Sequence, residues 1–150
     1  MDRSRWPVFV TGTVCRGFGR GSRDLGVPTA NLSQEVVDGL PDFLVPGVYM
    51  GWASVDGGRV DKMVMSLGWN PFYANEKKTM EVHLMDKYEE EFYGSTLRVV
   101  VLEYIREEKS FSSVDELVRA IRSDIATARQ RLDTPQYLAY KDFKFFTGDT

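Results

Sequence analysis

Short apolar runs separated by glycine and proline dominate the chain from Val8 to about Tyr104. Five of these runs are rich in β-branched and aromatic residues, which is typical of strands. They read VFVTGTV, GVYMGWASV, VDKMVMSLGW, TMEVHLM and TLRVVVLEYI. In TMEVHLM the apolar residues alternate with Glu81 and His83, so one face of that strand is predicted to join a core while the other points away from it.

The connections between these runs indicate how they pair. The segment VDGGR joins the second run to the third. Because Asp56, Gly57 and Gly58 tolerate positive φ, a tight hairpin and antiparallel pairing are predicted there. No helical pattern and no internal repeat separates the runs, which disfavours a parallel α/β sheet. A small antiparallel barrel or sandwich is favoured, and closure into a barrel would remove exposed strand edges.

The pattern changes to helical spacing near the C-terminal end. Ser113 and Glu116 have the spacing of a capping box, and an apolar stripe continues to about Leu132. The stripe consists of Val114, Leu117, Val118, Ile121, Ile125, Ala128 and Leu132. Because a single helix has to bury its apolar face, we expect this stripe to pack on the β unit rather than to form a partner surface. Pro135 is expected to end the helix, and the aromatic tail PQYLAYKDFKFF to pack down in part.

Length and composition narrow the class of protein. A chain of 150 residues is expected to form one domain, 1–150, with a core of its own. Its 19 basic and 22 acidic residues give a net charge of −3, so no overall positive field attracts nucleic acid or a membrane, and an anion site has to be local. A single cysteine, Cys15, excludes an internal disulfide and is interpreted as a small structural strand residue. No long apolar run or signal peptide is present, so a cytoplasmic protein is expected.

The segment LGVPTANL contains two neutral oxygen ligands. Pro28 disfavours a helix and favours an extended backbone around it. In an extended chain Thr29 and Asn31 face the same side. A hydroxyl and an amide oxygen suit either the closing of a turn or the binding of a hard cation such as Mg²⁺. Taken alone, these residues leave both interpretations open, and the turn is the more common of the two.

A glycine-rich and arginine-rich stretch, RGFGRGSRDLG, comes immediately before that segment. Gly17, Gly19 and Gly21 would let backbone amides approach an anion, and Arg23 would add charge, so the composition suits a polyphosphate. The stretch has no Walker A lysine and does not begin a helix, so neither a P-loop nor a dinucleotide fold is indicated. A flexible hairpin loop is the alternative, but the adjacent PTAN segment favours a metal-bound nucleotide phosphate.

Glu81 and His83 are polar residues on the face of a predicted strand that points away from the core. A glutamate in such a position usually only improves solubility. If that face lines a cleft, however, Glu81 could accept a proton from a reacting hydroxyl. His83 has no partner at a spacing that suits a zinc site, so a strand-surface or hydrogen-bonding role is assigned to it and no chemistry.

Several motifs taken together resemble the riboflavin kinase family, in its stand-alone eukaryotic form. They are GFGRGSRDLGVPTANL, PGVYMGWASV, MVMSLGWNPFY, KKTMEVHLM, EFYGSTLRV and YIREEKSF, and they follow the family's order from about Phe9 to Leu132. The resemblance implies a mainly β fold, a six-stranded antiparallel Greek-key barrel with a long C-terminal helix packed on it. It also implies an enzyme that uses ATP to phosphorylate the ribityl 5′-hydroxyl of riboflavin, giving FMN and ADP.

The same resemblance implies a role for individual residues. Thr29 and Asn31 would hold Mg²⁺, or another divalent cation such as Zn²⁺ or Mn²⁺, together with the phosphates of ATP. Glu81 would be the catalytic carboxylate. The further ATP contacts implied are Gly17, Gly19, Gly21, Arg23, Leu84, Asp86 and Tyr93. The flavin contacts implied are Arg106, Lys109 and Phe111. Without the resemblance, the last three would be interpreted as an ordinary charged loop before a helix.

The chain departs from the family pattern at two positions. Arg23 stands where many members have lysine, and Glu107 where many have proline, so the flavin segment is expected to be less rigid. No counterpart of the bacterial adenylyltransferase half is present, so FMN is not expected to be converted to FAD.

Two other functions are weighed against the kinase. A non-catalytic flavin-binding or nucleotide-binding barrel is the alternative function. A single-stranded nucleic-acid module is also conceivable for a small barrel, but the acidic pI disfavours it. The expected partners are riboflavin and ATP, with no nucleic acid and no membrane, and the expected state is a monomer.

Overall fold

The computed structural model describes residues 6–15, 29–69, 78–85, 94–109 and 111–147. Within these residues the strands are Val8–Cys15 (β1), Thr29–Leu32 (β2), Gly47–Val55 (β3), Val60–Trp69 (β4), Lys78–Leu84 (β5) and Thr96–Glu107 (β6). The helices are Gln34–Asp38 (α1), Val114–Arg131 (α2) and Pro135–Leu138 (α3), followed by a 3₁₀ turn at Lys144–Thr147. The five predicted strands are all present, and the sixth, β2, is the segment that was predicted to be extended. The two short helices α1 and α3 were not predicted.

The strands close into a barrel in the order β1, β2, β5, β4, β3, β6, and β6 pairs back onto β1. Every pairing in this ring is antiparallel. The connections from β2 to β3 and from β5 to β6 join strands that are not neighbours, which gives the Greek-key topology. The barrel implied by the family resemblance is therefore confirmed, and the sandwich is not what forms.

The hairpin between β3 and β4 forms as predicted. Asp56 and Gly57 have φ of 50° and 73°, and the Gly58 N–H donates to the carbonyl of Val55 at 2.9 Å. Asp56 also ties the hairpin to β6, because its carboxylate accepts the N–H of Thr96 at 2.7 Å. The turn residues thus fix the register of β3 with β4 and the position of this hairpin along β6.

The interior of the barrel is filled by apolar side chains. Met80, Val82 and Leu84 of β5 are fully buried there, as the alternation in TMEVHLM predicted. Large side chains from the other strands join them, including Tyr49, Met63, Met65, Leu67 and Leu97. Because a small barrel packed in this way is a core rather than a cavity, its chemistry has to lie on the outer wall or at the rim.

A second apolar cluster lies outside the barrel, beneath α2. The outer faces of β3, β4 and β6 pack against the apolar stripe of the helix, which confirms the predicted docking. The members of this cluster include Met50, Trp52, Val64, Val100, Val118, Ile121, Ile125, Ala128 and Leu132. The aromatic tail closes over the same wall, since the Trp52 indole donates to the carbonyl of Tyr137 at 2.9 Å and Phe146 is buried.

The ends of α2 follow the predicted signals with one shift. The Ser113 hydroxyl accepts the N–H of Glu116 at 3.2 Å, as an N-cap should. The Glu116 carboxylate accepts from the backbone and the hydroxyl of Ser112 rather than from the Ser113 backbone, and these hydrogen bonds lower the pKa of Glu116. The helix ends at Arg131, and Pro135 begins α3, a position that suits a residue with no N–H to donate.

Candidate active site

Asn31 and Glu81 lie directly opposite each other on the neighbouring strands β2 and β5. Residues so paired in an antiparallel ladder have Cβ atoms about 4.5–5.5 Å apart and point to the same side. Ala30 and Val82, which form the next pair along, are fully buried in the interior, so Asn31 and Glu81 are on the outer wall. Both are partly exposed. Two polar residues that are far apart in sequence are therefore adjacent in the fold.

Thr29 occupies the next position of the same ladder on this wall, opposite His83. Alternation along β2 places Thr29 and Asn31 on one side, on either side of the buried Ala30. The side chain of Thr29 lies outside what the structure describes, so the strand fixes its register position alone.

The pair continues into a single row of residues that crosses the outer wall, which we call the outer row. From β1 to β6 the outer row consists of Cys15, Asn31, Glu81, Ser66, Val48 and Arg106. Three interstrand steps separate Glu81 from Arg106, which is roughly 14 Å along the wall at a strand spacing of ~4.8 Å. The candidate catalytic carboxylate and the candidate flavin segment thus lie in one row of the wall, with the buried Val48 between Ser66 and Arg106.

Ser66 and Cys15 are the neighbours of this pair that sequence reasoning did not place. Ser66 lies opposite Glu81 on β4 and is partly exposed. Cys15 lies opposite Asn31 on β1, and its thiol contacts the carbonyl of Thr13 at 3.7 Å. No local pattern could have found these neighbours, because a position in the row depends on the registers of strands distant in sequence.

His83 is on the outer wall yet has only 1% of its surface exposed, so the expected strand-surface position was wrong. Burial lowers the pKa of His83 to about 4, since a charged imidazole is disfavoured away from water. The imidazole is therefore neutral at physiological pH. Its polar character in the sequence did not reveal that tertiary packing covers it.

At the far end of the outer row, Arg106 is held by helix α2. Its Nε donates to the two carboxylate oxygens of Asp124 at 2.9 and 3.2 Å, and its Nη2 donates to Oδ2 at 2.8 Å. Asp124 is only 5% exposed. The Arg106 Nη1 also donates to the carbonyl of Glu107 at 3.1 Å, and the ring of Phe111 lies 5.9 Å from the guanidinium carbon. These contacts join the start of the candidate flavin segment to α2 and to Phe111.

The residues after β6 turn back over the barrel wall. A Cβ built on Gly68 of β4 would overlap a carboxylate oxygen of Glu108 and lie 2.9 Å from its Cδ. Gly68 is two residues beyond Ser66 on the same face, so Glu108 lies next to the outer row. Lys109 is exposed and Phe111 is partly buried. The candidate flavin segment therefore extends from Arg106 back toward β4.

The remaining candidate residues divide into two groups. Leu84 is fully buried in the barrel interior, so a contact between Leu84 and ATP would have to use its backbone. The others lie outside the described residues: Gly17, Gly19, Gly21, Arg23, Asp86 and Tyr93.

Comparison with known proteins decides the family. The flavokinase family model, described as riboflavin kinase, matches residues 4–132. The chain belongs to the riboflavin kinase family. Human riboflavin kinase is 51% identical over 140 residues, covering 93% of this chain and 90% of its own. The bifunctional riboflavin kinase/FMN phosphatase of Arabidopsis thaliana is 44% identical over 142 residues, covering 94% of this chain and 37% of its own.

A solved structure of the same family has the same fold. Riboflavin kinase from Trypanosoma brucei superposes with a TM-score of 0.74 at 27% identity, covering 96% of this chain and 91% of that one. The resemblance drawn from the motifs is thus confirmed, and so is the kinase class of this riboflavin kinase family member. None of its described helices is long and apolar enough to cross a membrane.

Thr29 and Asn31, at neighbouring outer positions of β2, are residue types that suit a hard cation. Amide and hydroxyl oxygens belong to the ligand type that Mg²⁺ prefers, and Mg²⁺ in kinases takes one or two protein ligands along with phosphate oxygens. Among the described residues, no group of three or more histidine, cysteine, aspartate or glutamate side chains is arranged to hold a metal ion. The residues present fit a cation bound mainly through its nucleotide.

Proposed function

We propose that the protein transfers the γ-phosphoryl group of ATP to the ribityl 5′-hydroxyl of riboflavin, giving FMN and ADP. The observation that carries this proposal is the pairing of Asn31 with Glu81 on the outer wall. It places a metal-suited oxygen next to a carboxylate that can receive a proton. In a chain of the riboflavin kinase family, that combination is what phosphorylation of an alcohol requires.

Asn31, together with Thr29, binds the divalent cation that accompanies ATP, which we propose to be Mg²⁺, with Zn²⁺ or Mn²⁺ as substitutes. When bound, the cation neutralises negative charge on the phosphates as the phosphoryl group departs. Gly17, Gly19 and Gly21 contact the phosphates through their amides, and Arg23 adds charge there. Leu84, Asp86 and Tyr93 contact other parts of ATP, Leu84 through its backbone.

Glu81 acts on the riboflavin hydroxyl. A new bond forms between the 5′-oxygen and the γ-phosphorus, the bond from that phosphorus to the bridging oxygen breaks, and ADP leaves with the electron pair. The hydroxyl proton passes to Glu81 and then to solvent. A glutamate with an ordinary pKa of ~4.3 is too weak a base to deprotonate an alcohol in advance, so the proton moves late and Glu81 acts mostly by orienting the hydroxyl.

The flavin binds with its ring system at the end of the outer row formed by the segment after β6 and with its ribityl chain directed toward Glu81. Lys109 and Phe111 contact the flavin, Phe111 by packing its ring on the isoalloxazine. Arg106 completes this end, and its guanidinium is already bound to Asp124. The distance from Arg106 to Glu81, roughly 14 Å along the wall, leaves room for an extended ribityl chain between the two ends.

The decisive experiment mixes the purified protein with riboflavin, ATP and Mg²⁺ and separates FMN from riboflavin by chromatography. Wild type is expected to form FMN. Glu81→Gln is expected to lower kcat at least ~10²-fold while riboflavin binding is retained, because proton acceptance and orientation are lost and shape is kept. Glu103→Gln is the matched control, since Glu103 is a part-buried outer-wall carboxylate paired with Arg131.

Two results would contradict the proposal. Riboflavin binding by the wild type without FMN formation would favour the non-catalytic barrel. Near-normal kcat in Glu81→Gln would remove Glu81 from the reaction. We further propose that the protein acts on small molecules alone, since its net charge of −3 does not favour nucleic acid or anionic membranes. We also propose that it is a cytoplasmic monomer. Size-exclusion chromatography with light scattering tests the monomer.

A further inference from the structure

We propose that Asp124 of helix α2 is a positioning residue for the flavin loop, by which we mean residues 107–109 and 111. Asp124 acts through Arg106, which it holds in a fixed orientation. This inference deepens the proposed function and rests on it, because it assumes that the flavin loop receives riboflavin.

The first observation is the geometry of the ion pair. Three contacts between 2.8 and 3.2 Å join the Arg106 guanidinium to the Asp124 carboxylate. This is the bidentate arrangement that fixes the plane of a guanidinium as well as its position. The side chains of Arg106 and Asp124 are 19% and 6% exposed, so the pair is shielded from the solvent that weakens surface ion pairs.

The second observation is the position of Asp124 on its helix. Asp124 lies beside Ile121, Ile125 and Ala128 on the apolar side of α2 that packs on the barrel. An apolar residue there would serve packing at least as well, since a buried ion pair is rarely more stabilising than apolar side chains of similar volume. We therefore attribute the charge at this position to the contact of Asp124 with Arg106 rather than to the stability of the helix.

The third observation is a bulge that turns Arg106 toward the helix. Tyr49 pairs with Tyr104, but the preceding residue, Val48, pairs with Arg106, so Ile105 is an extra residue in β6. Tyr104 packs on the interior cluster and Ile105 on the outer one. Alternation from the inward Tyr104 would turn Arg106 into the barrel, and the extra residue returns it to the outer side, after an earlier register shift between Met50 and Gly51. β-Bulges commonly redirect a side chain in this way next to functional sites.

The fourth observation links Arg106 to both ends of the flavin loop. Its Nη1 donates to the carbonyl of Glu107 at 3.1 Å, and its guanidinium carbon lies 5.9 Å from the Phe111 ring, within the range of a cation–π contact. Between these ends, Glu108 lies against the open surface of Gly68. A change in the orientation of one guanidinium would therefore displace the loop where it covers the wall.

The test is the effect of Asp124→Asn on the two substrates separately. The variant keeps the shape of the side chain but loses the charge that holds Arg106. We expect KM for riboflavin to rise about tenfold or more, since small displacements of a binding group are costly. KM for ATP should stay within about twofold, because the phosphate end of the site is roughly 14 Å away along the wall. Titration of riboflavin fluorescence should show the same loss in affinity.

Asp61→Asn is the matched control for a purely structural effect. Asp61 is also a buried aspartate paired with an arginine, Arg59, at 3.2 Å, and it lies five residues from Ser66 along β4, roughly 17 Å away. This control is expected to lower Tm without changing KM for riboflavin. If both variants raise KM for riboflavin equally, the effect is one of stability and the proposal is overturned.

Two more variants keep the test decisive if Asp124→Asn does not fold. Asp124→Glu retains the charge and is expected to recover part of the riboflavin affinity. Arg106→Lys retains the positive charge but not the bidentate geometry, and is expected to raise KM for riboflavin as Asp124→Asn does. Unchanged KM for riboflavin in Arg106→Lys would overturn the proposal. Failure of the wild type to form FMN would instead overturn the proposed function, while fluorescence titration would still report on Asp124.

Discussion

Strands β3 and β5 have the same alternation of side chains but differ in what covers their outer faces. In β3, eight of the nine residues are buried, because Met50 and Trp52 on the outer face pack beneath α2. In β5 the inner Met80, Val82 and Leu84 are equally buried, whereas Thr79 and Glu81 on the outer face keep part of their surface exposed. The helix thus completes a second core on one side of the barrel. It leaves polar oxygens accessible for chemistry on the other.

The two carboxylates Asp124 and Glu81 show the same difference at the level of single residues. Asp124 belongs to the covered side and has both oxygens engaged by one guanidinium. Glu81 belongs to the uncovered side, opposite an amide. A buried carboxylate paired with a guanidinium can orient that partner, while a carboxylate on a partly exposed wall can receive a proton from substrate. Residue type alone would not separate these roles.

Leu84→Ala should have the largest effect on stability while sparing the chemistry. Leu84 is fully buried, and truncation of a core leucine costs about 2–5 kcal/mol of unfolding free energy. For a chain of this size that corresponds to a fall in Tm of roughly 5–15 °C. Thermal unfolding followed by circular dichroism measures the fall. KM for ATP should change little if Leu84 contacts ATP through its backbone, and a large rise in that KM would show a side-chain contact.

His83 should make stability depend on pH in a window set by its lowered pKa. The folded-state pKa is about 4 against an ordinary value of 6.5, so between these values the unfolded chain binds more protons than the folded one. Stability therefore falls as pH drops from 6.5 toward 4, by an amount on the order of 3 kcal/mol. Above pH 6.5 the imidazole is neutral in both the folded and the unfolded chain, so His83 no longer lowers stability.

Urea unfolding of wild type and His83→Gln across pH 4–7 checks this expectation. Glutamine stays neutral throughout, so the difference between the two proteins isolates the histidine from the carboxylates that titrate in the same range. The variant should lose less stability on acidification than the wild type. Parallel stability curves for the two proteins would show that the histidine is not responsible.

Local pattern predicted the elements that depend on near neighbours in sequence. Alternation around Glu81 identified the core face of β5, positive-φ residues identified the β3–β4 hairpin, and Ser113 identified the start of α2 within one residue. These features depend on backbone preference and on apolar periodicity, both of which are visible in a short window. The helices α1 and α3 were missed because five and four residues are too few to show a helical period.

The arrangement of the site could not be predicted in this way. Asn31 and Glu81 become neighbours only when β2, four residues long, enters the barrel between β1 and β5. Two register shifts in the β3–β6 pairing turn Tyr104 inward and return Arg106 to the outer wall, and the apolar alternation of β6 gives no sign of either shift. The individual roles came from the family resemblance, while the register that joins them is a property of the closed barrel.

Asn31→Ala should affect the metal requirement more than the fold. Removal of the amide oxygen is expected to raise the Mg²⁺ concentration for half-maximal FMN formation about tenfold or more. Because Asn31 is partly exposed, Tm should stay within about 2 °C of wild type. A Mg²⁺ titration at saturating ATP and riboflavin measures the shift. Ser66→Ala, on the other side of Glu81 in the outer row, is the control and should leave the titration unchanged.

Ser113→Ala should have the smallest effect. It tests whether a weakened start of α2 disturbs the flavin loop. Ser113 accepts the N–H of Glu116 at the start of α2, and loss of such a cap costs about 1 kcal/mol, or roughly 2–4 °C in Tm. KM for riboflavin should stay within about twofold of wild type, because Arg106 and Asp124 tie the loop to the middle of the helix rather than to its first turn. A riboflavin KM that rises as much as in Asp124→Asn would mean that any loosening of α2 displaces the loop. Riboflavin binding would then depend on the packing of α2 as a whole rather than on the ion pair between Arg106 and Asp124.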